Sequence, residues 1–313
     1  MQGNVARMML PAPDYRGLRA LSLVSAIYLI LMLAWGYHAH WALRDGERAA
    51  ILLAVVLSFL TPLVFPRCWR SARVRSMLLT YVALIVFSNF SAALGYFLVT
   101  TDAPLVDATL SRWDIALGFD WVAYCRWIQQ HPWADLWLKY GYKSFIVQFP
   151  LMVIYLSLTR RFKQLSDFCG GMVVSMIITH ISSWLYPAAG AGKYYASQLA
   201  VDMSGLSDFE PLRSGALRTV DPTALQGLIS IPSYHTVLAV LFTCAFWRTR
   251  LAWPVLLVNI SMILATPKFG GHYVVDVITG AMTVAVSIAL WRKITFTYAG
   301  NLLYTSDSST QAL

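Results

Sequence analysis

Two histidines and one aspartate are the residues whose types and spacing could do chemistry. In Phe269-Gly270-Gly271-His272-Tyr273-Val274-Val275-Asp276, His272 and Asp276 are four residues apart, which puts both side chains on one face of a helix. The carboxylate can then accept a hydrogen bond from one imidazole nitrogen and leave the other nitrogen aimed outward, making the histidine a better nucleophile or base. Two glycines before it let backbone approach a phosphoryl group closely, and their amides can cradle its oxygens. His235 closes a second stretch, Ile231-Pro232-Ser233-Tyr234-His235. Pro suits the first turn of a helix, whose open amides favour an anion. His272, His235 and Asp276 are therefore the candidate catalytic residues, and Ser233, Gly270 and Gly271 the uncharged candidates for holding phosphate.

The same residues admit plainer roles. His235 and His272 could be interface histidines satisfied by neighbouring loops, with Asp276 paired to one of them, but an ionisable group inside a span is a functional candidate by default. Imidazole and carboxylate also suit zinc, although no further ligand cluster accompanies these three, and neither a metal nor a cofactor is expected. His180 stands alone within an apolar block and reads as a packed, hydrogen-bonded residue.

The elements that must position this set are membrane helices. The 313 residues are 58% hydrophobic and 12% charged, against about a quarter charged in soluble domains. Apolar residues fall in eight blocks, near 18–37, 49–66, 77–99, 137–158, 168–186, 233–248, 252–266 and 272–291, each read as a helix crossing a roughly 30 Å hydrocarbon core. The seventh is the shortest. The first is too long for a signal-peptide core and no cleavage site follows it, so it reads as a retained anchor.

With a cytoplasmic N-terminus, the inside segments hold 14 of the 24 Lys and Arg but only 3 of the 15 Asp and Glu, as the positive-inside bias requires. The basic balance then reflects topology and anionic lipid, and no nucleic-acid partner is needed to explain it. The expectation is all-α and polytopic, with both termini cytoplasmic and the candidate site on the opposite face. Four cysteines without paired spacing imply no disulfide framework or metal site.

Three regions are expected: an N-terminal hairpin of two spans over 1–76, a six-helix membrane core over 77–300, and a disordered polar tail over 301–313. Two outside loops are long enough to carry structure. That near 100–136 mixes Trp and Tyr with charges and reads equally as a helix lying in the membrane interface or as one capping the bundle. That near 187–232 ends at the Pro-Ser-Tyr-His stretch.

Pro232-Ser233-Tyr234-His235 and Gly271-His272-Tyr273-Val274-Val275-Asp276 resemble the second and third signature motifs of the type 2 phosphatidic acid phosphatase superfamily, particularly its inositol phosphorylceramide synthase-like branch. The resemblance covers roughly 77–291 and implies a six-helix core. It also implies that His272 attacks phosphorus to give a phosphohistidine, Asp276 orients it, and His235 protonates the leaving oxygen. The first-motif region departs from the phosphatase branch, reading Tyr186-Pro187-Ala-Ala-Gly-Ala-Gly-Lys193-Tyr194, and Thr266 stands where an Arg precedes the third motif. The synthase-like branch also lacks these arginines. A cation must still offset the phosphate charge. Lys193 is the first choice and Lys268 the second among the basic residues near the motifs, which include Arg213 and Arg218, though a long basic side chain at a membrane surface often only snorkels.

The expected function is a lipid phosphatase or lipid headgroup phosphotransferase. Its substrate would be a membrane lipid phosphate ester or diphosphate, with a lipid alcohol as acceptor in the transferase case. A bacterial inner membrane with a periplasmic site is expected, or a lumenal site in a eukaryotic endomembrane. A transporter using intramembrane His and Asp is the alternative; it calls for polar residues deep in several spans, whereas here they gather at one face. A structural or assembly protein leaves both motifs unexplained. Lipid identity and oligomeric state stay open.

Overall fold

The structure is a computed structural model that describes residues 12–43, 70–199, 207–221 and 224–310. The expected second span, 49–66, lies outside the described residues. The long helices are α1 (Arg16–His38), α2 (Ala72–Val99), α7 (Phe162–Leu185), α12 (Ala252–Phe269) and α13 (Val274–Thr310). Among the described residues these five are long and apolar enough to cross a membrane, α13 over Val274–Thr297. A pair, α5 (Pro132–Lys143) and α6 (Phe145–Leu158), bent by 44°, is long and apolar enough to be a sixth if the two are taken together. The bend falls at Ser144, whose hydroxyl donates back to the Gly141 carbonyl. The expected sixth span is α11 (Tyr234–Phe246), with only 13 residues; it is shorter than α12, the expected seventh, with 18. The protein is an all-α, polytopic membrane protein.

Between α2 and α5 lie α3 (Asp107–Ala116) and α4 (Trp121–Gln130); between α7 and α11 lie the short α8 (Ala191–Tyr194), α9 (Ala196–Leu199) and α10 (Phe209–Arg213). The loop near 100–136, read two ways from sequence, caps the bundle: α3 and α4 pack on α13 and α12. The same helices leave Trp113, Ile115 and Trp127 exposed. α13 runs on to Thr310. Extending an existing helix avoids the nucleation cost, which lets a polar sequence follow.

Between membrane helices, van der Waals packing and interhelical hydrogen bonds hold the bundle. Phe87, Met152, Leu156, Met172, Phe242, Phe246 and Met262 form the central cluster. Gln148 of α6 donates to Asn259 of α12 at 3.0 Å, and Asn259 donates to Thr243 of α11 at 3.0 Å. His180 of α7 lies 3.1 Å from the Tyr28 hydroxyl of α1 and 3.1 Å from the Ser91 carbonyl of α2, the packed, hydrogen-bonded residue its isolation suggested.

α1 belongs to the same packed unit. Leu21 and Tyr28 are part of the central cluster, the Gly17 amide donates to Ser166 Oγ at 2.9 Å, and beyond the helix β1 (Ala42–Leu43) pairs in parallel with β2 (Thr219–Val220). At one end of the bundle α7 and α12 finish while α11 and α13 begin, and there both motifs meet.

Candidate active site

The His272 strand of the site hangs from a tight turn. Gly270 ends α12, and Gly271 has φ +65°, a conformation glycine adopts without steric cost. A Cβ on Gly270 would fall 2.6 Å from His272 Cδ2, 2.8 Å from the Thr266 carbonyl oxygen and 3.2 Å from Tyr142 Cε2, so only glycine fits between these groups. His272 stands two residues ahead of α13, outside the helix, and Asp276 lies in that helix's first turn. The His272 side chain is 7% exposed, and Nδ1 lies 3.4 Å from Asp276 Oδ2. That is a long contact, of the kind that tightens when substrate binds.

Asp276 is fully buried. Its Oδ2 accepts a 2.6 Å hydrogen bond from Ser230 Oγ and one of 3.0 Å from the Tyr273 amide, while Oδ1 has no partner among the described residues. The Asp276 backbone carbonyl accepts from the Ser233 amide at 2.9 Å. The two motifs are thus joined by a backbone bond and by the Ser230 bond beside it.

Ser233 is the N-cap of α11. Its hydroxyl oxygen accepts from the Thr236 amide and the residue is wholly buried, so its side chain serves the helix. The amides of Tyr234 and His235 above it have no partner among the described residues, and neither do those of Gly271 and His272. His235 stacks on Tyr142 with ring centroids 4.1 Å apart and planes at 23°. The Tyr142 hydroxyl is 3.2 Å from His235 Nδ1, and Phe145 meets the imidazole edge-on at 5.2 Å. Tyr142 thus stands against His235 and beside the His272 turn.

The cations near the motifs are held in different ways. Lys268 is ion-paired to Asp135 and lies over the Phe269 ring, so it is already neutralised. Arg213 donates to the Thr101 and Ala103 carbonyls, and Arg218 to the Leu212 and Leu217 carbonyls; both hold loops. The Thr266 hydroxyl donates within its own helix, to the Met262 carbonyl. Lys193 makes no ion pair among the described residues; its ammonium lies 4.8 Å from the centre of the Phe209 ring. Burial lowers its pKa, opposed by the charges of Glu210, Asp107 and Asp208. The Gly192 amide donates to the Gly271 carbonyl at 3.2 Å, bringing the Lys193 segment against the His272 turn.

Sequence reasoning missed the residues that hold this arrangement. Asp114 of α3 accepts from the Val274 and Val275 amides, each at 2.9 Å. Burial raises its carboxyl pKa, with those two amides pulling the other way. Asp107 accepts from the Ala189 and Gly190 amides at 2.9 Å and from the Tyr273 hydroxyl at 3.0 Å. That phenol is pushed up strongly, by burial first and then by Asp107. Trp121 Nε1 donates to the Pro267 and His272 carbonyls, each at 3.1 Å. No cluster of three metal-ligating side chains forms among the described residues.

Beside the junction is an apolar cavity of about 500 Å³ between α3, α7 and α13, lined by Trp113, Ile178, Ile231, Pro232, Thr279 and Met282 among others. The Thr279 and Thr283 hydroxyls in its wall donate to backbone carbonyls of their own helix, which leaves the cavity without those donors.

The sequence profile of the PAP2 superfamily matches residues 108–290. The chain belongs to this superfamily, and with it comes a phosphatase-type chemistry on phosphate esters. No curated protein and no solved structure matches it.

Proposed function

We propose that the chain is a lipid phosphate phosphatase or headgroup phosphotransferase of the synthase-like branch, working through a phosphohistidine on His272. The observation that carries this reading is the junction of the two motifs: His272 over a buried Asp276, whose carboxylate and carbonyl are bonded to Ser230 and Ser233, with His235 at the same end of the bundle.

His272 Nε2 attacks phosphorus, and the bond from phosphorus to the ester oxygen breaks as His235 gives that oxygen a proton. Water, or an alcohol in the transferase case, then loses its proton to His235 and attacks the phosphohistidine. The N–P bond breaks, releasing phosphate or the new ester and restoring both histidines. The unpartnered amides of Gly271, His272, Tyr234 and His235 are available to the phosphoryl oxygens, where preorganised donors act most strongly. Lys193 is the cation of choice for the remaining charge.

The apolar cavity beside Ile231 and Thr279 favours a substrate with a hydrocarbon chain. The lopsided charge of the segments favours a site on the non-cytoplasmic face, periplasmic in a bacterial inner membrane.

The test is phosphate release by purified protein from a panel of lipid phosphates and diphosphates in chelator, with His272→Ala alongside. Release that survives the chelator and vanishes in the variant is expected. Near-normal turnover by His272→Ala would overturn the covalent scheme, and release that needs added zinc would overturn the metal-free one. No release from any member, with headgroup transfer between a phospholipid and a lipid alcohol, would select the transferase.

A further inference from the structure

The two histidines are held differently. His272 has a carboxylate at Nδ1; His235 has a phenol. Tyr142 sits in the last turn of α5, just before the bend into α6, and its ring lies between the motifs. It stacks on His235, its hydroxyl reaches Nδ1, and only the absence of a Cβ on Gly270 lets it approach the His272 turn. Phe145, on the far side of the bend, closes the edge of the imidazole. Nothing in the two motifs themselves points to a residue in this place.

We infer that Tyr142 is the positioning residue for His235: its hydroxyl oxygen accepts from Nδ1–H and so assigns proton transfer to Nε2, in a reaction that rests on the phosphatase or transferase reading above. In the first step the imidazolium carries a proton on each nitrogen. Nδ1–H stays with the phenol oxygen while the Nε2 proton goes to the departing ester oxygen. The neutral ring that remains is the Nδ1–H tautomer, and its Nε2 lone pair takes the proton from water or alcohol in the second step. One proton leaves and one returns, both through Nε2. A phenol suits this duty because it orients the ring through a hydrogen bond and adds no negative charge that would hold the working proton back. The stacked ring fixes the imidazole plane, and the hydroxyl, acting as acceptor, keeps the proton on Nδ1.

The experiment compares wild type, Tyr142→Phe and Tyr142→Leu on two substrates. Phosphatidate leaves as an alcohol and needs a proton; p-nitrophenyl phosphate leaves as a stable phenolate and does not. Tyr142→Phe is expected to lose roughly tenfold in kcat/KM on phosphatidate, part of the 10²–10⁴ that a general acid contributes, with kcat/KM on nitrophenyl phosphate within about twofold, because this ratio reports the first step alone. Tyr142→Leu is expected to lose further on phosphatidate, because the ring plane is freed. Equal loss on the two substrates in Tyr142→Phe, or loss on neither, would overturn the inference.

A second readout does not depend on turnover. With ¹⁵N-labelled histidine in detergent, the His235 resonances, identified by their loss in His235→Asn, are expected to report the Nδ1–H tautomer in wild type and a mixture in Tyr142→Phe. An unchanged tautomer would overturn the role of the hydroxyl. Failure of wild type on every phosphate ester, with the tautomer shift intact, would instead count against the functional reading.

Discussion

The amide of Ser233 donates to the carbonyl of Asp276 at 2.9 Å. The start of α11 and the first turn of α13 are therefore one hydrogen-bonded unit, and His235 and His272 keep their separation only while that unit is intact. Because the bond is between backbone groups, side-chain substitutions leave it in place, which makes its neighbours suitable for testing one at a time.

Ser230→Ala removes the shortest bond to Asp276 Oδ2 and leaves the buried carboxylate with fewer donors. Loss of a hydrogen bond to a charged group is worth about 1.5–3 kcal/mol. A fall of at least tenfold in kcat is expected, with KM changed far less, measured by steady-state phosphate release. Unchanged kcat would mean that Asp276 orients His272 without help from Ser230.

Asp114→Ala strips the acceptors from the Val274 and Val275 amides. A destabilisation of about 1–3 kcal/mol is expected from unsatisfied buried donors, read as a lower thermal midpoint in detergent. Asp114→Asn keeps one acceptor oxygen, so its midpoint should fall between those of wild type and Asp114→Ala.

Lys193 carries a pH signature. Burial lowers its pKa, so its positive charge disappears as pH rises through a value below the ordinary lysine one. If that charge offsets phosphate, KM should climb on the alkaline side earlier than a free lysine would allow. Lys193→Arg, charged beyond pH 12, should move the climb to higher pH, and Lys193→Gln should raise KM at every pH. A KM that ignores all three side chains would leave the backbone amides as the phosphate's only partners.

Thr283→Trp places an indole in the apolar cavity. For long-chain lipid phosphates KM is expected to rise about tenfold, while a short soluble phosphate ester keeps its turnover. Equal effects on both would detach the cavity from the substrate's hydrocarbon chain.

Sequence was most informative where chemistry depends on local spacing. The four-residue interval between His272 and Asp276, the glycine pair and the apolar blocks are all local patterns, and the first two meet at the start of α13, with His272 just ahead of the helix rather than on its face. Ser230, Asp114, Asp107, Trp121 and Tyr142 act across separations of 46 to 166 residues, where no periodicity points to a partner. Lys268, four residues from His272, reads from spacing as a cation for the site, and its ion pair with Asp135, 133 residues away, is likewise invisible to spacing. The bend at Ser144 was hidden inside one continuous apolar block.

The fastening of α1 has a consequence for how the protein sits in a bilayer. The helix is held near its start by Ser166, in its middle by His180 and just past its end by the strand at Thr219–Val220. Its 23 residues span about 35 Å at 1.5 Å per residue, close to the hydrocarbon thickness of a membrane. A free helix answers a thinner bilayer by tilting. Fixed at three levels, α1 can tilt only with the whole bundle, so hydrophobic mismatch falls on the lipid, which must stretch or compress around the protein.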